Sequence, residues 1–256
     1  MSNHLAFLIT CLTDLHAGSG DANYGYIDKT VQRDAITNFP TIYATSLKGA
    51  LREHLKLEKN SLSPEDIVKI FGSEHASNEE QMAQGNYRFF GADLLSMPIR
   101  SNRINSEPFY RATSARACND LKTKLATLVK VNNMQDWNWP TENINNGNIS
   151  TEYGQGRMLQ NPKYLGDSSI QLCEEDFNLA CKNLPVRARN QLENGESKNL
   201  WYEEFVPRET RFIFCIRCDN DSSLKERFEN TLDKNVIQFG ANASVGMGFC
   251  LIQKLN

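Results

Sequence analysis

The last quarter of the chain constrains the fold most. Arg211-Phe-Ile-Phe-Cys-Ile-Arg-Cys218 is an apolar run of strand length, and Ser222 to Leu232 carries Leu224, Phe228 and Leu232 at i, i+4 and i+8. Val236 to Phe239 and Met247 to Leu255 then read as strands around the turn Gly240-Ala-Asn-Ala-Ser-Val-Gly-Met-Gly248. A helix with one apolar stripe must lie against a sheet or another helix to bury it. A similar succession opens the chain. Leu5 to Leu12 is a short apolar run with alternation in its second half, which predicts a strand. Ser46 is expected to N-cap a helix with Leu47, Leu51, His54 and Leu55 on one face. Asn86 to Met97 reads as one strand or two, bent at Gly91.

The order strand, helix, strand, insertion, strand, helix, strand predicts an α+β fold. It is the β-α-β-β-α-β order of a ferredoxin-like or RNA-recognition-type (RRM-like) core. A single domain over 1–256 is expected, with the core at about 1–97 and 201–256 and a long insertion at about 98–200. Ser63, Pro64, Asp66 and Gly72 signpost a short helix with an N-terminal capping box and a C-terminal glycine. Inside the insertion, Ser114 to Lys130 is helical by spacing, and Glu174 to Arg189 returns to helix. Between them Val131 to Asp167 is crowded with asparagine and glycine and loses all period. A loop that long is expected to be a mobile or functional excursion.

Composition narrows the class. With 28 Lys+Arg against 31 Asp+Glu the net charge is −3, which argues against a polycationic nucleic-acid coat but leaves room for a local basic groove. The longest apolar run is far short of a membrane span, so no membrane partner is expected. Met1-Ser2-Asn3-His4 carries no Lys or Arg, and Thr10 and Cys11 interrupt the run that follows, so no secretory signal is expected. Seven cysteines, at 11, 118, 173, 181, 215, 218 and 250, match no disulfide framework and predict a reducing cytoplasm. Cys215-x-x-Cys218 lies on an apolar strand and reads as buried structure. His4, His16, His54 and His75 are not at metal-ligand spacing, and no nucleophile elbow, P-loop or zinc-protease motif occurs.

Three segments read as functional. His16-Ala-Gly-Ser-Gly20 follows a strand and runs on to Asp28-Lys-Thr-Val-Gln-Arg33; its glycines can bring backbone N–H groups to a phosphate. A plain turn, with Asp28 a solvated loop acid, is the ordinary reading. Lys48 in Ser46-Leu-Lys-Gly-Ala-Leu-Arg52 is expected in the first helical turn, where a cation opposes the helix dipole and a bound phosphate would relieve the conflict. A solvent-exposed lysine is the alternative. Gly49 costs a helix about 1 kcal/mol against alanine, which suggests close backbone packing there. The turn Gly240 to Gly248 serves either as a bulged hairpin or as a platform for a phosphodiester. Arg100, two residues after Pro98, is a lone arginine.

Taken in order, these segments resemble the RAMP superfamily, and within it the repeated backbone subunit of the Cmr-type (type III-B) CRISPR effector complex. The resemblance rests on Leu12 to Gly20, Asp28 to Asp34, Ser46 to Arg52, Phe71-Gly72, Asp93-Leu-Leu, Pro98-Ile-Arg-Ser101, Leu200 to Pro207, and Gly240 to Gly248. It implies an antiviral-defence protein that polymerises on guide (cr)RNA beside other effector subunits. It also implies a metal-dependent endoribonuclease, cutting complementary target RNA at regular intervals beside a protruding thumb in the 98–200 insertion. Asp28 would be the catalytic and metal-binding acid, with a divalent ion such as Mg2+ or Mn2+. Lys48, Arg52, Arg100, His16, Ser46, Gly49, Gly240, Gly246 and Gly248 would contact RNA, and charges 29, 33, 48, 52 and 56 would form a basic stripe. Residues 131–167 are expected to supply the thumb and to order only with RNA. A non-catalytic RNA-binding scaffold of the same kind is the alternative; a stand-alone enzyme with a glycine-loop phosphate site is a weaker third. This chain departs from the family pattern at Thr30, where proline is usual, at Ala44-Thr45, and at Gly240-Ala-Asn242.

Overall fold

The computed structural model describes residues 3–20, 25–57, 62–73, 83–103, 107–131 and 134–255. In chain order the strands are β1 (His4–Cys11), β2 (Thr41–Ile42), β3 (Arg88–Phe89), β4 (Ala92–Arg100), β5 (Phe109–Thr113), β6 (Ile149–Ser150), β7 (Gln155–Met158), β8 (Ser169–Gln171), β9 (Val186–Glu193), β10 (Glu196–Glu204), β11 (Arg211–Arg217), β12 (Val236–Gln238) and β13 (Phe249–Lys254). The α-helices are α1 (Ala44–Leu57), α2 (Pro64–Phe71), α3 (Ala115–Lys124), α4 (Glu174–Lys182) and α5 (Ser222–Leu232).

Among the described residues, eleven strands form one sheet in the order β12–β13–β1–β11–β4–β5–β8–β7–β6, with β2 also on β4 and β3 on β11. β1 is its axis, antiparallel to β11 on one side and to β13 on the other. Among the described strands only β5 and β8 pair in parallel. β4 serves two halves: Asp93 to Ser96 face β11, while Met97 to Arg100 pair with β5. The boundary expected at 98 therefore falls inside a continuous strand. β9 and β10 stand apart as a two-stranded ribbon closed by Asn194-Gly195, both with positive φ.

The central strands are apolar at successive positions because both faces of the sheet are covered. On one face Phe7, Ile9, Phe212 and Phe214 pack under Leu47, Leu51, Ile67, Ile70, Leu224 and Phe228 of α1, α2 and α5. The Phe7 and Phe214 rings stack across the β1–β11 pair with centroids 5.2 Å apart. On the other face Ala6, Leu8, Ile213 and Cys215 are covered by Leu121, Leu125 and Val129, with Trp137, Trp139 and Leu165 beside them.

That second layer corrects the expectation for 131–167. Apart from 132–133, which lie outside the described residues, the stretch is no free excursion. Trp137 and Trp139 meet edge to face at 4.9 Å, and the Trp139 indole N–H donates to the Lys163 carbonyl. Its asparagines line the outside while a few widely spaced aromatics anchor it, a pattern with no period to detect. Two helix ends also move. α4 stops at Lys182 rather than 189, because Pro185 cannot continue a helix and the chain pairs with β10 from Val186 onward. α1 begins at Ala44, and Leu47 already donates to the Tyr43 carbonyl. Ser46 is thus inside the helix and not its N-cap, and Lys48 lies beyond the first turn, which removes the dipole conflict. α2 follows its signposts: Ser63 and Asp66 form the reciprocal capping box, Pro64 opens the helix and Gly72 closes it. All seven cysteines are free, Cys215 and Cys218 buried among them.

Candidate functional site

The chain leaving β1 folds back on residues 29–33 through short backbone bridges, Gly18 to Val31 among them. β10 straps this double loop in place. The Asp28 and Lys29 amides both donate to the Tyr202 carbonyl at 3.1 Å, and the Glu204 amide donates to the Lys29 carbonyl at 2.9 Å. The Tyr202 amide returns a bond to Asp28 Oδ2 at 2.7 Å. Asp28 is exposed, so its carboxylate is presented to solvent, and the bond from the Tyr202 amide orients it.

Behind the loop lie two buried carboxylates for which the sequence offers no role. Glu203 accepts from Lys29 Nζ at 3.0 Å, Trp201 Nε1 at 2.7 Å, Arg189 Nε at 3.2 Å and Asn242 Nδ2 at 3.0 Å. Burial alone would raise its pKa, but the hydrogen bonds from Trp201 and Lys29 and the Lys29 charge bring it down to about 2. Glu204 takes Arg33 at 2.6 Å and the Val31 amide at 3.0 Å. These two side chains join the Asp28 loop, the β9–β10 ribbon and the turn at 240–248. The signal available in sequence was two consecutive acids in the largely apolar run Leu200-Trp-Tyr-Glu-Glu-Phe-Val206. Gln32 is a third residue missed: it donates to the Gly18 carbonyl and Ser46 Oγ and accepts from the Tyr43 amide.

His16 is buried, with Nδ1 2.6 Å from the Glu204 carbonyl. A carbonyl only accepts, so Nδ1 carries the proton. The ring borders a cavity of about 320 Å3 lined also by Gly18, Ser19, Gly20, Lys29 and Thr30. Gly240 is required by this packing, since a Cβ there would lie 2.4 Å from the His16 carbonyl oxygen. Gly248 is crowded in the same way by the Phe239 carbonyl. Gly246 and Gly49 have open space instead, which overturns the expectation of close packing at Gly49.

The expected basic stripe is largely spent internally. Lys29 and Arg33 pair with Glu203 and Glu204, and Arg52 donates to the Gly72 carbonyl at the end of α2. Lys48 lies over the Phe89 ring, its Nζ 5.9 Å from the centroid. Arg100, at the end of β4, faces a separate groove shared with Asp14, Glu152, Phe205 and Arg208. The structure therefore gathers His16, Ser46, Gly240 and Gly248 around the Asp28 loop as packing and leaves Arg100 elsewhere. Among the described residues no three His, Cys, Asp or Glu side chains converge to hold a metal, and no helix is long and apolar enough to cross a membrane.

The sequence pattern that defines the RAMP superfamily matches residues 8–251. The CRISPR system Cmr endoribonuclease Cmr4 of Pyrococcus furiosus is 30% identical over 287 residues, spanning 97% of this chain and 94% of that protein. The CMR subunit Cmr4 of Saccharolobus solfataricus is 38% identical over 124 residues, 48% of this chain and 38% of its own. In structure, a chain of a type III-B Cmr-beta complex bound to cognate target RNA superposes with a TM-score of 0.76 at 21% identity, covering 98% of this chain and 96% of that one. Oligomeric Cmr4 from P. furiosus superposes at 0.70 and 21% identity, covering 99% of both. The two structures share the mixed α+β architecture and its large, mostly antiparallel sheet.

Proposed function

We infer the activity of this chain from one premise: it belongs to the RAMP superfamily, and within it to the group of Cmr4 proteins. The function proposed is that of a backbone subunit in a type III-B CRISPR effector complex. Copies line up on one guide crRNA, beside other subunits, and cut complementary target RNA at regular intervals. The P. furiosus relative is named an endoribonuclease, and one structural neighbour is bound to target RNA. Free cysteines throughout are in keeping with a reducing cytoplasm.

The observation that carries the catalytic reading is Asp28, an exposed carboxylate oriented by the Tyr202 amide. In that place it can take the proton of a ribose 2′-OH. The 2′ oxygen then attacks the adjacent phosphorus as the bond to the 5′ oxygen breaks; the leaving oxygen takes a proton from water, Asp28 returns its own to solvent, and a 2′,3′-cyclic phosphate remains. The donor set suits a divalent ion such as Mg2+ or Mn2+ only if RNA completes it: Asp28 would supply one carboxylate oxygen, with phosphate oxygens and water as the rest. Such an ion would stabilise charge on the phosphoryl oxygens. Sequence would be read by base pairing, the protein holding backbone and shape.

The ferredoxin-like reading of the core is supported by the order β13–β1–β11–β4, which is fourth, first, third, second among the core strands, with α1 and α5 on one face. Residues 98–200 would be the insertion; the thumb expected from 131–167 would instead be the ribbon β9–β10, which stands apart from the sheet while Trp137, Trp139 and Leu165 pack against that sheet. Lys48, Gly49 and Gly246 would meet the guide backbone directly. Arg52 and Arg100 would flank it, while Ser46, His16, Gly240 and Gly248 would shape the surface.

The test is cleavage by the reconstituted complex carrying Asp28→Asn, which keeps an acceptor for the Tyr202 amide. Regularly spaced cuts should fall at least a hundredfold, with guide and target still bound. Cutting at the wild-type rate would make this chain a scaffold and put the nuclease elsewhere.

A further inference from the structure

An aromatic pair, exposed Tyr26 on half-buried Tyr202, stands beside the candidate acid. Tyr26 is 85% exposed, yet its ring is stacked on Tyr202 with centroids 5.6 Å apart and planes 24° from parallel. Burial does not account for this placement, because the outer surface of the Tyr26 ring contributes nothing to the core. Consecutive strand residues point to opposite sides, and Trp201, the neighbour of Tyr202, turns inward to Glu203 and Lys29. Tyr202 thus does two things at once. Its ring supports Tyr26, and its amide orients the Asp28 carboxylate.

We propose that Tyr26, backed by Tyr202, is a stacking platform for a target-strand nucleobase that leaves the duplex next to the scissile phosphate, since a paired A-form nucleotide does not hold its 2′ oxygen in line for attack. The proposal rests on the cutting role given to Asp28 above and adds the residue that positions the substrate for it. Every base has a π-face, so an aromatic platform captures it whatever its sequence. Tyr26 precedes Asp28 by two residues, a span of at most about 7 Å of backbone. One nucleotide can therefore lay its base on Tyr26 while its sugar and phosphate reach Asp28. Fixing the base fixes the ribose, and in-line attack by the 2′ oxygen depends on ribose orientation. Tyr26 is a positioning residue, since the reacting atoms belong to the sugar and phosphate.

The experiment uses the reconstituted guide-loaded complex and a target RNA with 2-aminopurine at the unpaired position beside the cut. An Asp28→Asn background holds the target uncut. Stacking quenches 2-aminopurine, so fluorescence should fall when this complex binds target. Adding Tyr26→Ala should restore it, and adding Tyr26→Phe, which keeps the ring, should preserve the quench. With Asp28 intact, Tyr26→Ala should slow single-turnover cutting about tenfold at matched target occupancy. Fluorescence that ignores Tyr26→Ala, or responds alike to Ala and Phe, overturns the platform. Loss of cutting in Asp28→Asn alongside that result would leave the nuclease reading standing. Unchanged cutting in Asp28→Asn would remove the nuclease reading, while the 2-aminopurine signal would still report whether a base stacks on Tyr26.

Discussion

At the scale of single residues, the site depends on a carboxylate that does not face the substrate. Glu203 draws in Lys29 from the Asp28 loop, Arg189 and Trp201 from the β9–β10 ribbon, and Asn242 from the 240–248 turn. Glu203→Gln keeps the volume and removes the charge, leaving two cations facing a neutral amide. A loss of about 2 kcal/mol in urea unfolding is expected, the scale of hydrogen bonds to a charged group. A pH signature follows. The folded pKa, about 2, lies below the ordinary 4.5, so the stabilisation is complete above pH 4.5 and is lost as pH falls toward 2. Asp66, held at about 2 by Arg227 and the Ser63 amide, contributes in the same direction. Unfolding measured across that window should therefore show a shallower acid slope in Glu203→Gln than in wild type. An identical slope would mean that the Glu203 charge adds nothing to stability.

At the scale of elements, the β9–β10 ribbon is informative because it holds itself together so little. Two-stranded ribbons are marginal in water, and the outer part of this one, Gln191 to Asn199, is exposed throughout. Its base is secured by Glu203, Glu204 and the backbone bonds to Asp28 and Lys29. Replacing Gln191 to Asn199 with an Asn-Gly turn should leave thermal stability within a few degrees. If the ribbon parts the guide–target duplex, the same change should blur or abolish the regular cut spacing on a sequencing gel. Unaltered spacing would remove the thumb role. Elements of this kind differ in how well sequence announces them. β1, β11, α5 and the caps of α2 were legible because their signals are local: an unbroken apolar run, an i, i+4, i+8 stripe, a Ser-Pro-x-Asp start. The end of α4 was marked by Pro185, but the strand after it was not legible, since Val186 to Arg189 shows its extended state only through pairing with β10. The layer around Trp137 was not legible either, because its anchors are spaced without period. Asp28 could be singled out by its loop and its resemblance, but its supports, Glu203, Glu204 and Gln32, act across 11 to 188 positions of chain, a relation no local pattern expresses.

At the scale of the whole molecule, a net charge of −3 and an RNA partner are compatible because most cations near the site are already paired. Lys48 and Arg100 remain as proposed guide contacts, with Arg52 a third although it also donates to the Gly72 carbonyl. Single-stranded RNA releases about 0.7 counterion per neutralised phosphate, so guide binding should depend only mildly on salt for each copy. Lys48→Ala should weaken binding alike for unrelated guides and lower the log–log salt slope by about 0.7 per copy. A slope that does not move would place Lys48 off the phosphate path.

The way Glu203 collects its partners also bears on how the protein is made. Lys29 leaves the ribosome well before Arg189 and Glu203, and Asn242 follows later still. β1 likewise waits for both of its sheet neighbours, β11 and β13, which are translated long after it. No partly made chain can present the Asp28 loop in its working form. A nascent polypeptide surrounded by messenger RNA is therefore inert until β13 has emerged.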